Sequence, residues 1–317
     1  MSSSAAHARL QVRVKSATWE APEIVSYELR PVDGGELPAF TAGAHVDLRL
    51  GNGLVRSYSL INPQFERHRY VIAVQKDRAS RGGSKWMHEN LRAGEVIEIT
   101  APSNNFPLDE SAQKSIFIAG GIGITPIMSM IERLSFLGRE WELVYCARTR
   151  ARAAFAEALE GRARFNFDED PGGRMLDITT LVATAPENTH FYCCGPAPML
   201  AVFETATTGV PRERVHIEYF TAKEAPAAES GFKVVLAKSG RELDVTAGKT
   251  ILESLLEAGI DVQHSCTQGV CGTCETRVLE GVPDHRDLIL TDQERASNRT
   301  LMICCSGSKT ERLVLDL

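Results

Sequence analysis

The chain has 317 residues, 43% of them hydrophobic and 24% charged. This is ordinary globular material with room for two or three cores, too much for a single small binding module. The formal net charge of -6 and pI near 5.8 argue against nucleic acid or an anionic membrane surface as the main partner, because both select a basic face.

The N-terminal stretch MSSSAAHARL has no apolar segment of signal-peptide length. The longest apolar run, Ile116 to Ile131, is broken by Gly120, Gly121, Gly123 and Pro126. A cytoplasmic, monomeric protein is expected, in which eight cysteines serve as thiols or metal ligands rather than disulfides.

Between residues 10 and 103 the runs LQVRVKSATW, HVDLRL, YVIAVQK and EVIEIT alternate or are β-branched, and Pro, Gly and Asn punctuate them. They predict a small antiparallel barrel. Two stretches in it carry the positive charge and backbone donors that a flavin phosphate needs: RSYSL (Arg56 to Leu60) and RGGSKWM (Arg81 to Met87). Gly82, Gly83 and Ser84, just before a short helical stretch, suit an anion-binding turn at a helix N-terminus. Taken singly, each also fits a surface arginine beside a strand or an ordinary glycine turn.

From Ser115 the pattern becomes strand-helix alternation. SIFIAG precedes a helical stretch to about Gly138, WELVYCA precedes a second helix near Ala153 to Glu160, and HFYCCG precedes PAPMLAVFETAT. The pattern predicts a parallel sheet with crossover helices. In GGIGITP a Gly-rich turn joins strand to helix, with Thr125 expected at the N-cap and Pro126 at the first helical position. Such a turn lets a dinucleotide approach closely, although the third glycine of G-x-G-x-x-G is missing. Cys193, Cys194, Gly195 and Pro196 end the next strand, where ligands of open α/β sheets sit. Cys194 could equally be a small apolar strand end. A thiol nucleophile has no recognisable His and carboxylate partners, and Cys146 reads as core.

TAKEAPAAESG, from Thr221 to Gly231, lacks apolar periodicity and reads as a linker. FKVVLA, ELDVTA, the helical TILESLLEAG, a Cys-rich loop and the strand ERLVLDL then make an α+β domain of residues 231–317.

Its loop, CTQGVCGTC, sets Cys266, Cys271 and Cys274 in C-x4-C-x2-C spacing, with a fourth Cys after 29 intervening residues. This is the plant-type [2Fe-2S] arrangement. Gly269 and Gly272 permit the backbone turns that aim N–H groups at sulfur. A structural zinc site is the alternative, but zinc loops usually pair two C-x2-C units. A Rieske centre would need a second Cys-His pair besides His264 near Cys266. Adjacent side chains diverge, so only one of Cys304 and Cys305 can be the fourth ligand.

Together RSYS, RGGS, GGIGITP, YCCGP, the cysteine loop and DHRD (Asp284 to Asp287) closely resemble the phthalate dioxygenase reductase family over nearly the whole chain. The resemblance implies an antiparallel β-barrel flavin domain at 1–108, a parallel-sheet α/β NAD domain of ferredoxin-reductase type at 109–222, a linker at 223–230 and a β-grasp ferredoxin domain at 231–317. It implies FMN, with Arg56, Ser57, Tyr58 and Ser59 on its ring and chain, and Arg81, Gly82, Gly83 and Ser84 on its phosphate. Thr125 would reach the flavin N5 region and Phe220 would cover the ring. Gly121, Gly123, Cys194, Gly195 and Pro196 would meet the nicotinamide and pyrophosphate, with Ser59, Thr125 and Cys194 beside the reacting atoms. Cys304 would be the fourth cluster ligand.

Relatives in the family serve Rieske oxygenases acting on phthalate, vanillate and other substituted aromatic acids. The implied function is therefore the reductase component of such a system. A nicotinamide gives two electrons and a [2Fe-2S] cluster takes one, so a flavin must stand between them. A self-contained flavin enzyme reducing a quinone or ferric chelate, or a zinc-stapled binding protein, are the other classes. For the donor, Arg148, Arg150 and Arg152 after the second strand of the nucleotide domain would suit a 2'-phosphate. Asp168, Glu169 and Asp170 in FNFDEDPGG oppose it, and the family's acidic position by the adenosine ribose matches Asp170. A carboxylate there repels a phosphate, so NADH is expected.

Overall fold

The computed structural model describes residues 9–77, 81–227 and 231–317. They fall into two compact units, Met1–Glu218 and Tyr219–Leu317.

The first unit opens with β1 (Arg9–Ala21), β2 (Ile24–Pro31), β3 (His45–Arg49), β4 (Val55–Ser59) and β5 (Tyr70–Gln75), then the helix α1 (Gly83–Asn90) and β6 (Val96–Thr100). In β1, Val12 and Val14 are fully buried while Arg13 between them is exposed, the period of two of a strand with one wet face. The strands form one sheet in the order β4-β3-β6-β1-β2-β5, all neighbours antiparallel. A bridge from Leu60 to Ile72 joins its two outer strands, closing a barrel over Leu29, Leu48, Leu60, Ile72 and Met87.

The nucleotide-type half comprises β7 (Lys114–Gly120), α2 (Ile124–Leu137), β8 (Glu140–Ala147), β9 (Arg164–Phe167), α3 (Ile178–Ala183), β10 (Thr189–Cys194), α4 (Ala197–Ala206) and β11 (Val215–Glu218). Its strands are all parallel, in the order β11-β10-β7-β8-β9. From β7 the chain runs outward through β8 and β9, then returns to build β10 and β11 on the other side. The strand order therefore reverses between β7 and β10, where the crevice of an open α/β sheet lies. Ile124, Ile127, Met130, Ile131 and Leu134 make the buried stripe of α2, which ends at the left-handed Gly138 (φ 64°). The barrel shares this core: Ala42 and Phe106 pack with Ile127 and Met130, and the Gly43 N–H donates to Ser129 Oγ at 3.1 Å.

Two local expectations are corrected here. Residues 153–160 are a series of turns rather than a helix, because Phe155 adopts φ 61°, which a right-handed helix cannot contain. Thr125 is not the N-cap of α2: a 3-10 turn at Gly121–Gly123 starts the helix earlier, Gly123 occupies the cap, and the Thr125 hydroxyl donates to the Ile122 carbonyl at 2.9 Å.

The second unit contains β12 (Phe232–Leu236), β13 (Glu242–Val245), α5 (Ile251–Glu257), β14 (Glu275–Glu280), β15 (Pro283–Asp284), α6 (Asp292–Ser297), β16 (Thr300–Met302), β17 (Gly307–Ser308) and β18 (Arg312–Leu315). The main sheet runs β13-β12-β18-β14-β16 with β12 and β18 parallel, and β15 pairs with β17. Thr250 and Glu253 close a capping box on α5, which lays Ile251, Leu252 and Leu255 into the core. Part of the stretch read as a linker is tied down: the Ala227 N–H donates to the Cys305 carbonyl at 2.8 Å, and Glu224 pairs with Arg286 at 3.1 Å. Residues 228–230 of that stretch lie outside the described residues. Among the described residues no helix is long and apolar enough to cross a membrane.

Candidate cofactor sites

Cys266, Cys271, Cys274 and Cys304 are all buried, and their sulfurs gather: Cys266 lies against both Cys271 and Cys304, and Cys274 against Cys304. The loop turns through Thr267 (φ 55°), Gly269 (φ 69°) and Gly272 (φ 77°), and the Gln268 N–H points at Cys266 Sγ, 3.3 Å away. Crowding raises the thiol pKa values, at Cys271 through Cys266 and then burial, at Cys274 through Cys304 and then burial. Such a group holds several thiolates only around a compensating cation, and its all-sulfur donor set with an inward N–H fits an iron-sulfur cluster.

Cys305 makes different contacts. Its Sγ meets the Met302 carbonyl and Ser306 Oγ at 3.8 and 3.9 Å and packs beneath the loop, where a Cβ at Gly269 would stand 2.5 Å from it. The His264 ring bonds the Val262 carbonyl at 2.8 Å, a local contact.

On the barrel, β4 runs antiparallel to β3 and alternates its side chains. Ser57 Oγ donates to Asp47 Oδ1 at 2.6 Å, and Ser59 is buried opposite His45. The other alternates are Arg56 and Tyr58. Burial pushes the Tyr58 phenol up despite the Arg56 charge, so it stays a neutral donor. The Arg56 guanidinium donates to the carbonyls of Val55 and Arg81 at 2.8 and 3.1 Å, which joins RSYS to RGGS. Gly82, left-handed at φ 91°, opens α1, and a Cβ on Gly83 would stand 2.7 Å from Arg56 Cγ. An arginine laid against a helix start opened by two glycines is a cradle that fits a phosphate.

At the reversal of strand order, Gly120 and Gly123 at the end of β7 face Cys194 and Gly195 at the end of β10. A Cβ at Gly123 would lie 2.2 Å from the Cys194 carbonyl oxygen, and one at Gly120 would lie 2.6 Å from Pro196 Cδ. The geometry leaves a surface of backbone and small groups that fits a pyrophosphate and a flat nicotinamide ring. Gly121 (φ 54°) opens the turn between them. Thr125 is buried at this corner.

Asp170 is half-buried after β9, and its carbonyl accepts from the Gly173 N–H at 2.7 Å. The nearby arginines are engaged in ion pairs: Arg148 with Glu169 at 3.5 Å, Arg150 with Glu160, and Arg152 with Glu23 at 3.7 Å. Phe220 is 38% exposed and belongs to the second unit.

Glu218, at the end of β11, was not singled out from sequence. Its Oε2 accepts from the Cys194 thiol at 3.9 Å, and burial pushes its carboxyl up to about 8. Burial first, then Glu218, holds the Cys194 thiol well above its ordinary range, so it is a neutral S–H donor rather than a nucleophile. Sequence offered one signal, an acid between apolar residues on a short strand.

Residues 234–308 match the model of the 2Fe-2S iron-sulfur cluster binding domain. The chain is 54% identical over 320 residues to phenoxybenzoate dioxygenase subunit beta of Ectopseudomonas oleovorans, covering 100% of both chains. It is 52% identical over 317 residues to tetrachlorobenzoquinone reductase of Sphingobium chlorophenolicum, covering 97% of this chain and 98% of that one. Among solved structures, phthalate dioxygenase reductase, described as a modular structure for electron transfer from pyridine nucleotides to [2Fe-2S], is similar with a TM-score of 0.77 and 36% identity over 98% of each chain.

Proposed function

Because this chain belongs to the phthalate dioxygenase reductase family, we propose that it is the NADH-dependent reductase component of a Rieske-type aromatic-ring oxygenase or demethylase, acting in the cytoplasm as a monomer. When bound, FMN takes electrons in pairs from NADH and releases them singly to the [2Fe-2S] cluster, which passes them to the oxygenase. FMN belongs to residues 1–108, NADH to 109–222 and the cluster to 231–317, with 223–230 as the connection.

The protein's own groups bind, orient and insulate. Arg56 with Gly82, Gly83 and Ser84 holds the FMN phosphate, Arg81 adds charge at its rim, and Ser57, Tyr58 and Ser59 set the ring. Gly121, Gly123, Gly195 and Pro196 give the nicotinamide and pyrophosphate a close approach, Asp170 accepts from the adenosine ribose, and Thr125 and Cys194 stand as uncharged groups beside the reacting atoms, their protons engaged by the Ile122 carbonyl and Glu218. Cys266, Cys271, Cys274 and Cys304 hold the irons. The observation that carries this reading is the coexistence in one chain of a phosphate cradle, a side-chain-free corner at the strand reversal, and four gathered buried sulfurs.

The test is the purified protein: FMN by extraction, iron and sulfide by assay, and anaerobic reduction by NADH followed by visible and EPR spectra. Flavin and cluster both reduced, with turnover of an aromatic acid only when an oxygenase is added, is the expected result. The 52% identity to a tetrachlorobenzoquinone reductase favours one second reading, direct reduction of a quinone. Rapid NADH-dependent quinone reduction without an oxygenase would support it.

A further inference from the structure

Outside the cysteine loop, the second unit contains a buried polar group that the proposed electron path does not use. Asp287 has a fully buried side chain, with 0% exposure, and His285 has 8%. Asp287 Oδ2 accepts from the Ile289 and Leu290 N–H groups at 3.1 and 2.8 Å. Its Oδ1, both ring nitrogens of His285 and Arg295 Nε are buried without a hydrogen-bond partner among the described residues. The nearest approaches are Asp287 Oδ1 to His285 Nδ1 at 3.7 Å and Asp287 Oδ2 to the Arg295 guanidinium at 3.8 Å. The Arg295 guanidinium also donates to the Asp287 carbonyl.

A charge in so poorly satisfied a setting is costly and calls for a reason. Its position supplies one. The Leu288 N–H donates to the Gly269 carbonyl at 2.9 Å, and a Cβ on Gly269 would stand 3.0 Å from Asp287 Cα and 3.3 Å from its Cβ, so Asp287 packs directly behind the cysteine loop at Gly269, between Cys266 and Cys271 in sequence. Burial lowers the His285 pKa, so its ring adds no positive charge beside Asp287 and Arg295.

We propose that Asp287 and Arg295 are positioning residues for the cluster loop whose opposed charges set the reduction potential of the cluster. The proposal rests on the reading that the four cysteines hold a [2Fe-2S] centre. Reduction adds one negative charge to the centre. A buried carboxylate behind Gly269 opposes that charge and the guanidinium offsets the carboxylate, each acting through an interior that screens far less than water.

The experiment is a redox titration of the full-length holoprotein, followed by EPR and visible circular dichroism, in Asp287→Asn and Arg295→Gln. Asparagine keeps the shape and can still accept from Ile289 and Leu290. The expected result is opposite shifts: the midpoint potential rises in Asp287→Asn, where the guanidinium is left alone, and falls in Arg295→Gln, where the carboxylate is left alone. A purely structural role would move both the same way or leave both at the wild-type value, and either outcome overturns the proposal. If Asp287→Asn does not assemble its cluster, Arg295→Gln decides, since that side chain is one-third exposed (34%) and its replacement leaves no buried carboxyl site empty. A fall in potential supports the proposal and an unchanged value overturns it. Wild-type protein without the EPR signal and iron of a [2Fe-2S] centre would instead overturn the cluster reading.

Discussion

Gly123 lies so close under Cys194 that a Cβ on the glycine would stand 2.2 Å from the cysteine's carbonyl oxygen. The contact joins the turn after β7 to the end of β10, and its obstacle is backbone, which cannot swing away. Gly123→Ala should therefore spread the corner where the nicotinamide is expected, at a cost of about 1–3 kcal/mol in stability. Thermal unfolding together with kcat/KM for NADH, with ferricyanide as acceptor, checks it. A variant with wild-type values in both would show that the corner opens freely.

Cys304 and Cys305 are neighbours with different surroundings, one against Cys266 and Cys274, the other beneath Gly269. Cys304→Ser should lose iron while retaining FMN, and Cys305→Ser should keep both. Iron and flavin assays on the two proteins decide, and the reverse pattern would exchange the ligand assignment.

The division at Glu218 and Tyr219 suggests that the flavin and nucleotide halves fold without the cysteine domain, because they share one core around Ala42, Phe106 and Ile127. A fragment ending at residue 222 should bind FMN and oxidise NADH with ferricyanide but fail to supply an oxygenase. A flavin-free fragment would mean that the cysteine domain completes the flavin site.

Glu218 gives a pH signature. Its carboxyl is raised by burial from 4.5 to about 8, so the folded state prefers the protonated form. Below pH about 4.5 the group is neutral in folded and unfolded chains alike and its contribution is fully present; that contribution is lost as pH rises through the folded value near 8. Glu218→Gln, which is neutral throughout, should flatten the fall in Tm between those two values. Parallel Tm profiles for wild type and variant would place Glu218 in a more solvated setting.

Donor choice turns on Asp170. Arg148, Arg150 and Arg152 are each paired with a glutamate and so are poorly placed to receive a 2'-phosphate. NADH should be the better donor, and Asp170→Ala should lower kcat/KM for NADH by about tenfold, the scale of one hydrogen bond to a charged acceptor, while narrowing the gap to NADPH. Equal use of the two donors by the wild type would count against the assignment.

The features legible in the sequence are those whose physics is local. The C-x4-C-x2-C spacing, the two-residue period of Val12 and Val14, the stripe of α2 and the capping box of Thr250 with Glu253 all involve partners a few residues apart. Even locally, backbone conformation overrode pattern where Phe155 took a left-handed φ and where a 3-10 turn moved the cap of α2 from Thr125 to Gly123. Tertiary structure alone decided the rest. Glu218 reaches Cys194 only because β11 pairs with β10, Arg56 meets Arg81 only because the barrel brings β4 to the start of α1, and Asp287 lies behind Gly269 only because the DHRD turn folds under the cysteine loop. In each case a group draws its charge state or its closeness of approach from an element distant along the chain, and no period or spacing within a single segment encodes that.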